Sequence, residues 1–228
     1  MKTSQKVLVL FILLGILFMV GSIFDIDLLE LVSTVFLIPV LILYYRYKAK
    51  KWFLPMVIAL LFFYIRDLFM INGFSNNAGP ILLFFGGGLL ILYIYALTSF
   101  QKATAHPVEI FSLIIMYGFL GFLFYTIAEL VPQVIPSYKV LTYIYLLVLT
   151  LLLAITFTQY LLKSHYASLW LMLASASLLV SEFSLFFRLY VISDISVTIF
   201  YPFFHVIAFY AMVEHALHRR RSRNLPGF

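Results

Sequence analysis

Residues 140–162 read VLTYIYLLVLTLLLAITFTQYLL and carry no charged side chain. An α-helix crosses the hydrocarbon core of a bilayer in about 20 consecutive apolar residues. This stretch is therefore long and apolar enough to form one transmembrane helix. A transmembrane β-strand would instead alternate apolar and polar residues over about ten positions, so the continuous apolar run excludes a β-barrel.

The same apolar character extends over the whole chain of 228 residues, of which 64% are hydrophobic and 11% are charged. A soluble domain is about half apolar and about a quarter charged. These proportions exclude a soluble enzyme, a nucleic-acid-binding module and a disordered tail. The chain also has no cysteine, which excludes disulfides, thiolate metal sites and cysteine nucleophiles.

Charged residues, proline and glycine clusters and polar runs divide the chain into apolar segments of membrane-spanning length. They predict an all-α, polytopic membrane protein with eight transmembrane helices in a single domain, 1–228. Turn-forming stretches at 72–79 and 132–137 mark two of the breaks. A signal peptide is the alternative for the first segment, but no small-residue cleavage pattern follows it. The helices are expected near 6–24, 28–45, 53–71, 80–98, 108–128, 139–162, 168–191 and 196–217.

The charged residues sort to two sides of these eight segments. Most of the 15 lysines and arginines fall on the side that holds both termini. The positive-inside rule therefore predicts that both termini are cytoplasmic. The short loops favour the inner (plasma) membrane of a bacterium, and the basic tail at 219–223 is interpreted as an anchor against anionic head groups. The opposite side carries the acids Asp25, Asp27, Glu30, Glu129 and Asp194.

The third and seventh segments share an unusual feature, because each carries an acid inside an otherwise apolar run. Asp67 and Glu182 lie equally far along their helices, about 20 Å from the cytoplasmic edge at 1.5 Å per residue. Both helices run in the same direction, so the two acids are expected at similar depth. This similarity favours a possible four-plus-four parallel repeat.

Asp67 and Glu182 are the candidate catalytic residues. A charge inside the hydrocarbon costs several kcal/mol, so such residues usually face a cavity or a partner. We expect the two carboxyl groups to converge on one chamber, with one of them protonated and the other ionised. Such a pair suits acid-catalysed hydrolysis and equally suits proton-coupled transport, and the residues alone leave both open.

Five polar side chains in the third, seventh and eighth segments are candidate substrate-binding residues. The alternative for the two arginines is an internal ion pair or a side chain that extends to the outer interface. Ser181 belongs to a stripe of polar residues at helical spacing, which the packing of small residues between membrane helices also explains. For His205 the alternative to substrate binding is a hydrogen bond between helices. The five are Arg66, Ser181, Arg188, Tyr201 and His205.

Two further patterns invite a functional interpretation. The glycines at 86–88 in the fourth segment allow another backbone or a ligand to approach closely, but without a following Lys-Ser/Thr they do not form a phosphate loop. Glu214, His215 and His218 have the spacing of metal ligands. They adjoin the basic tail at the membrane boundary, so no metal site is predicted there.

The chain resembles the YhhN-like lysoplasmalogenases, a family of eight-span membrane enzymes. In the third segment Arg66-Asp67 stands where the family has Gly-Asp, and in the seventh Ser181-Glu182 stands where it has Ser-Asp or Ser-Asn. The Tyr-x-x-x-Gln/His pattern of the eighth span falls near 201–205 or 205–209.

Two residues of the family pattern are missing from this chain. Where the family has Lys-Pro in the second span, this chain has Ile38-Pro39 and lacks the lysine. Where the family has Gly-His or Ser-His in the fourth span, it has Gly87-Gly88 and lacks the histidine. The resemblance therefore implies the fold more firmly than the activity.

The function that this resemblance implies is hydrolysis of the vinyl-ether bond of lysoplasmalogens to a fatty aldehyde and a glycerophospho-ethanolamine or -choline. One acid of the pair Asp67 and Glu182 would protonate the vinyl-ether carbon, and the other would stabilise the resulting cation and direct water onto it. Arg66 or Arg188 would hold the lipid phosphate. The implied partner is thus a lipid and not a nucleic acid, and no cofactor is needed.

Two other functions stay open. A non-catalytic lipid-binding protein of the same fold would explain why the family lysine and histidine are missing. A proton-coupled transporter would need a pathway open to both faces and paired helix breaks. The prolines at 39, 55 and 202 do not fall at matching positions of the two halves. The sequence predicts no particular oligomeric state.

Overall fold

The computed structural model describes residues 2–49, 51–99, 106–134, 136–163, 165–191 and 194–222. Within these ranges the chain is all-helical and has no strand. Eight of its helices are long and apolar enough to cross a membrane, which indicates a multi-pass membrane protein. They are α1 (Thr3–Ile23), α2 (Asp27–Lys48), α3 (Leu54–Ile71), α4 (Phe74–Ser99), α5 (Pro107–Val134), α6 (Lys139–Lys163), α7 (Tyr166–Tyr190) and α8 (Ile195–Ser222).

The number and order of the helices agree with the prediction, but the predicted turn at 72–79 is too long. Only Asn72 and Gly73 separate α3 from α4, and Gly73 has a φ of 84°, a left-handed conformation that favours glycine. The remaining residues of the predicted turn are helical, with a kink at Asn77 (φ −128°, ψ 22°). Pro80 is tolerated because the kink places it near the start of a fresh helical segment, where its missing N–H is not needed.

Two other helix ends also lie beyond their predicted positions. α5 continues through Pro132 to Val134, and a single 3-10 turn at Pro136–Tyr138 precedes α6. α8 extends beyond the predicted end at 217 to Ser222, because arginine is a good helix former outside the hydrocarbon.

Seven helices form a closed ring in the order α1–α2–α3–α4–α6–α7–α8 and back to α1. α8 also touches α2 and α3 across the ring. α5 lies outside the ring, chiefly against α6, and exposes large side chains such as Phe111, Phe122 and Tyr125. Helices α3, α6, α7 and α8 can therefore direct side chains toward a common interior.

The middle of the ring and the half that holds the chain termini are filled by apolar side chains. Leu41, Leu60, Phe63, Leu89 and Met212 are completely buried there and belong to one continuous cluster. Between helices in a membrane, close packing of this kind is a main source of association. The buried charged residues Arg66, Asp67, Glu182 and Glu214 lie away from this apolar middle, toward the two ends of the bundle.

The glycine run of α4 receives aromatic rings from α3 rather than a backbone or a ligand. A Cβ atom on Gly87 would lie 2.6 Å from Cε1 of Phe62, and one on Gly88 would lie 2.6 Å from Cε1 of Phe63. The glycines therefore make room for rings that close the α3–α4 contact. The Cβ position of Gly86 faces open space.

Gly21→Ala is expected to destabilise the protein, because the new Cβ would lie 2.7 Å from the backbone nitrogen of Glu30, where α1 and α2 meet. Overpacking of this kind costs about 1–3 kcal/mol. A lower midpoint of thermal unfolding in detergent checks the prediction. Gly86→Ala is the control and should unfold at or above the wild-type temperature. Equal midpoints for the two variants would contradict the close helix approach at Gly21.

Candidate functional site

A buried cluster of ion pairs centred on Arg66 lies inside the ring. Arg66 belongs to α3 and is 1% exposed. Its Nη1 donates to Oδ1 of Asp67 at 2.8 Å, and its Nη2 donates to Oε1 and Oε2 of Glu182 at 2.8 and 3.0 Å. The ring of Phe85 lies beside the guanidinium, with its centroid 4.9 Å from Cζ. One guanidinium therefore joins the two acids that were predicted as the catalytic pair.

This cluster connects opposite sides of the ring. α3 packs mainly against α2 and α4, whereas α7 packs mainly against α6 and α8, so Arg66 reaches across the interior to Glu182. The planar guanidinium has enough donors to bond one carboxylate with one terminal nitrogen and the second carboxylate with the other. Pairing is required because each unpaired ion in the interior would cost several kcal/mol.

His205 on α8 extends the cluster on the far side of Asp67. Its Nε2 lies 3.1 Å from Oδ2 of Asp67, and because an ionised carboxylate can only accept, Nε2 carries the hydrogen. The rings of Phe18, Tyr201 and Phe209 surround the imidazole at centroid distances of 5.7, 5.5 and 4.4 Å. The imidazole is therefore held in an apolar enclosure with Asp67 as its polar contact.

Tyr145 on α6 is a member of the cluster that reasoning from the sequence missed. Its hydroxyl donates to Oε2 of Glu182 at 2.8 Å. One signal could have found it, because a tyrosine hydroxyl deep in an apolar run usually needs a hydrogen-bond partner. Tyr143 and Tyr160 on the same helix meet that description too, so the signal alone does not single out Tyr145.

The formal charges of Arg66, Asp67 and Glu182 do not cancel. Arg66 supplies one positive charge, whereas Asp67 and Glu182 supply two negative charges. A proton on His205 or on one carboxyl group balances them.

Asp67 is the member of the cluster that reaches a large polar cavity. This acidic cavity has a volume of about 420 Å³ and lies among α1, α2, α3 and α8, toward the end of the bundle opposite the chain termini. Two more carboxylates line it, at the first turn of α2. The lining residues are Phe18, Asp27, Glu30, Leu31, Thr34, Asp67, Met70, Ile71, Gly73 and Tyr201.

Glu182 faces a second, smaller cavity on the other side of Arg66. This apolar cavity has a volume of about 50 Å³, and its charged or ionisable lining residues are Arg66, Tyr145, Glu182 and Tyr190. The two acids therefore meet at one guanidinium but open onto different cavities. This corrects the expectation of a single shared chamber, because Arg66 occupies the space between them. The remaining lining includes Ile81, Leu82, Phe85, Leu146, Phe183 and Phe186.

Two of the other predicted binding residues lie near the cluster without joining it. Arg188 donates to Oγ of Ser22 at 2.7 Å and to Oδ1 of Asp25 at 2.9 Å, which ties α7 to the turn between α1 and α2. Ser181 donates to the backbone oxygen of Tyr201 at 3.1 Å. Arg188 thus forms an ion pair at the end of the bundle, and Ser181 makes a hydrogen bond between helices.

A second polar cluster lies at the end that holds the chain termini. Glu214 accepts hydrogen bonds from Tyr44 at 2.7 Å and from Lys48 at 3.0 Å, and His218 lies 3.3 Å from its other oxygen. The neighbouring His215 bonds to a tyrosine hydroxyl and a backbone carbonyl. Over the described ranges of the chain, no group of three or more histidines and acids could hold a metal ion.

The candidate site thus consists of Arg66, Asp67, Tyr145, Glu182 and His205, which α3, α6, α7 and α8 bring together with one cavity on each side. Tyr201 belongs to its border, since it lines the acidic cavity. No protein family, no curated protein and no solved structure matches the chain.

Proposed function

We propose that the protein is an integral membrane hydrolase that cleaves the vinyl-ether bond of lysoplasmalogens, the activity implied by its resemblance to the YhhN-like family. The observation that carries the proposal is the joining of Asp67 and Glu182 by Arg66, with Asp67 on the wall of the acidic cavity. Acid-catalysed cleavage requires a proton donor and negative charge beside a bound substrate. The cluster offers both at one position.

The reaction begins with protonated Asp67. It donates its proton to the vinyl-ether carbon remote from the oxygen, which leaves an oxocarbenium cation beside the new carboxylate. Water adds to the cationic carbon, and the proton that the water loses returns to the cluster. The hemiacetal then breaks its C–O bond to glycerol and releases a fatty aldehyde and the glycerophospho compound. These steps need neither a metal nor an organic cofactor.

The residues behind Asp67 supply the proton and hold the charge. His205 bonds the oxygen of Asp67 that Arg66 leaves free, which is the position from which it can pass a proton to the carboxyl group. Glu182 neutralises Arg66, so the guanidinium orients Asp67 without holding it permanently ionised. One proton in the cluster is sufficient for a catalytic cycle, because the proton that the attacking water loses returns to the cluster.

The acidic cavity suits a lipid with a cationic head group. Asp27, Glu30 and Asp67 all line it, and their charge attracts an ethanolamine or choline group. Arg188 interacts electrostatically with Glu30 at the same end of the bundle and is the cation best placed for the lipid phosphate. The single chain of the lipid would extend among the apolar helices.

We place both termini in the cytoplasm, which puts the acidic cavity beneath the external leaflet. Basic residues that include Lys2, Lys6 and Lys51 lie at the end of the bundle that holds the termini, whereas Asp25 and Glu129 lie at the other. The positive-inside rule supports this orientation, and the short loops support the plasma membrane of a bacterium. The four-plus-four repeat has support in the pairing of α1 with α2 and α3 with α4, as α5 pairs with α6 and α7 with α8.

Single-cysteine labelling is expected to show this orientation. The chain has no cysteine of its own, so each introduced thiol reports alone. In intact cells a membrane-impermeant maleimide should label Glu129→Cys, and it should label Lys51→Cys only after permeabilisation, since the two exposed positions lie at opposite ends of the bundle. The reverse pattern would contradict cytoplasmic termini.

The activity is tested with purified protein in liposomes that contain a lysoplasmalogen. Time-dependent release of fatty aldehyde, absent from liposomes without protein, supports the hydrolase. An acyl-linked lysophospholipid with the same head group is the control substrate and should stay intact, because it offers no vinyl carbon to protonate. Tight retention of the lipid without aldehyde release would instead support a binding protein, and proton flux would support a carrier.

A non-catalytic lipid-binding protein is the second candidate. The observation that favours it is the pairing of Arg66 with both carboxylates, which is also what a purely structural ion pair requires. A carrier has less support, because Leu41, Leu60 and Phe63 are completely buried between the cluster and the end that holds the termini.

A further inference from the structure

α7 and α8 lie against each other in an antiparallel register that two hydrogen bonds define. Oγ of Ser181 donates to the backbone oxygen of Tyr201 at 3.1 Å, and Nδ1 of His215 donates to the backbone oxygen of Ala167 at 2.7 Å. In both pairs the residue numbers have the same sum, as they do for facing positions of antiparallel helices. One helical turn from the Ser181–Tyr201 pair, the same register places Ser177 opposite His205.

Ser177 and His205 each carry a buried polar atom without a hydrogen-bond partner. Both residues are 1% exposed, and the two unpartnered atoms are Oγ of Ser177 and Nδ1 of His205. Ser181 and Ser184, the neighbouring serines on this helix, bond to backbone carbonyls. An unpaired polar atom in the interior is costly, and two such atoms at facing positions of packed helices can be joined by an ordered water molecule.

We infer that one water molecule binds between Oγ of Ser177 and Nδ1 of His205 and that Ser177 is thereby a positioning residue of the Arg66 cluster. The resulting chain runs from Ser177 through the water and His205 to Asp67, which lines the acidic cavity. It links α7, α8 and α3 at the depth of the cluster.

The water gives both forms of the imidazole a partner at Nδ1. Neutral His205 accepts from the water at Nδ1 and donates from Nε2 to Asp67. The imidazolium form donates from both nitrogens, and after its Nε2 proton passes to Asp67 the remaining Nδ1–H keeps its bond to the water. Ser177 thus stabilises the imidazole on both sides of the proton transfer. This consequence for catalysis rests on the proposed function, whereas the water site does not.

The test is nuclear magnetic resonance of protein labelled with ¹⁵N-histidine in lipid nanodiscs, with the wild type and all variants at one pH. His205→Asn identifies the Nδ1 signal of His205 by its disappearance. Ser177→Ala is expected to move that signal because Nδ1 loses its hydrogen bond: downfield where the nitrogen is unprotonated, and upfield where it carries the hydrogen. Ser177→Thr, which keeps the hydroxyl, should restore the wild-type position.

Ser175→Ala is the matched control. Ser175 is equally buried on the same helix, but its hydroxyl lies 2.6 Å from that of Thr156 on α6, so its removal should leave the His205 signal unchanged. Transfer of magnetisation from water to His205 in the wild-type protein is a second measurement that needs no variant. An unmoved signal in Ser177→Ala, or no transfer from water, overturns the inference.

The outcomes for the water site and for the hydrolase are separable, because neither resonance measurement needs turnover. A shifted Nδ1 signal in a protein that releases no aldehyde would keep the water site and remove the hydrolase. Aldehyde release with an unshifted Nδ1 signal would keep the hydrolase and remove the water site.

Discussion

Arg66→Met is expected to destabilise the protein more than any other single substitution in the cluster. The variant leaves Asp67 and Glu182 buried with no guanidinium between them, and removing one partner of a buried ion pair costs about 3–5 kcal/mol. Methionine keeps much of the length and apolar volume of the arginine stem, so the loss reports the charge. Unfolding of purified protein in mixed micelles, followed by circular dichroism, measures it.

Removing all three charges together is expected to restore most of the lost stability. The triple variant Arg66→Met, Asp67→Asn, Glu182→Gln has no ion left to desolvate, and well-packed neutral replacements of buried ion pairs are often as stable as the original. A single variant that unfolds like the wild type would contradict the buried cluster. A triple variant no more stable than Arg66→Met would show that the loss comes from shape rather than from charge.

Asp67→Asn is expected to abolish most of the aldehyde release while the protein stays folded. The amide has the shape of the carboxyl group but carries no proton that it can donate, and loss of general acid catalysis lowers kcat by about 10²–10⁴-fold. Lipid retention should change little, because Asp27 and Glu30 still line the acidic cavity. Initial rates in proteoliposomes with matched protein amounts measure the effect.

Glu182→Gln is also expected to lower the rate of aldehyde release. Arg66 would lose its second carboxylate partner and would hold Asp67 in the ionised form. Glu129→Gln is the control, since Glu129 is exposed on α5 and accepts a hydrogen bond from Tyr125 one turn earlier. Wild-type rates in Asp67→Asn, or an equal loss in Glu129→Gln, would remove Asp67 from the proposed chemistry.

The helices were predictable from the sequence because membrane spans depend on apolar length and on where charges interrupt it. Less predictable were the ends rich in polar and proline residues, where Asn77 and Pro132 are absorbed into helices whose neighbours determine their backbone. Propensity alone does not show that a helix such as α4 begins at Phe74.

The site was predictable only as far as depth along a helix determines it. The sequence predicts similar depths for Asp67 and Glu182, and their convergence on one cation follows once α3 and α7 face each other across the ring. Whether Arg66 points inward or toward the membrane interface depends on how α3 is rotated about its own axis. The packing of the ring determines that rotation, and the local sequence does not. The same holds for Tyr145 and for the separation of the two cavities by the guanidinium.

Hydrolysis of a lysoplasmalogen by the purified protein in deuterium oxide tests the central claim most directly, because proton transfer to carbon marks the product. If an acid of the Arg66 cluster protonates the vinyl carbon, mass spectrometry of the promptly trapped aldehyde will find one deuterium on the carbon next to the carbonyl, and the Asp67→Asn protein will yield almost no aldehyde. Aldehyde without that deuterium, or intact lipid after long incubation with folded wild-type protein, would contradict the account.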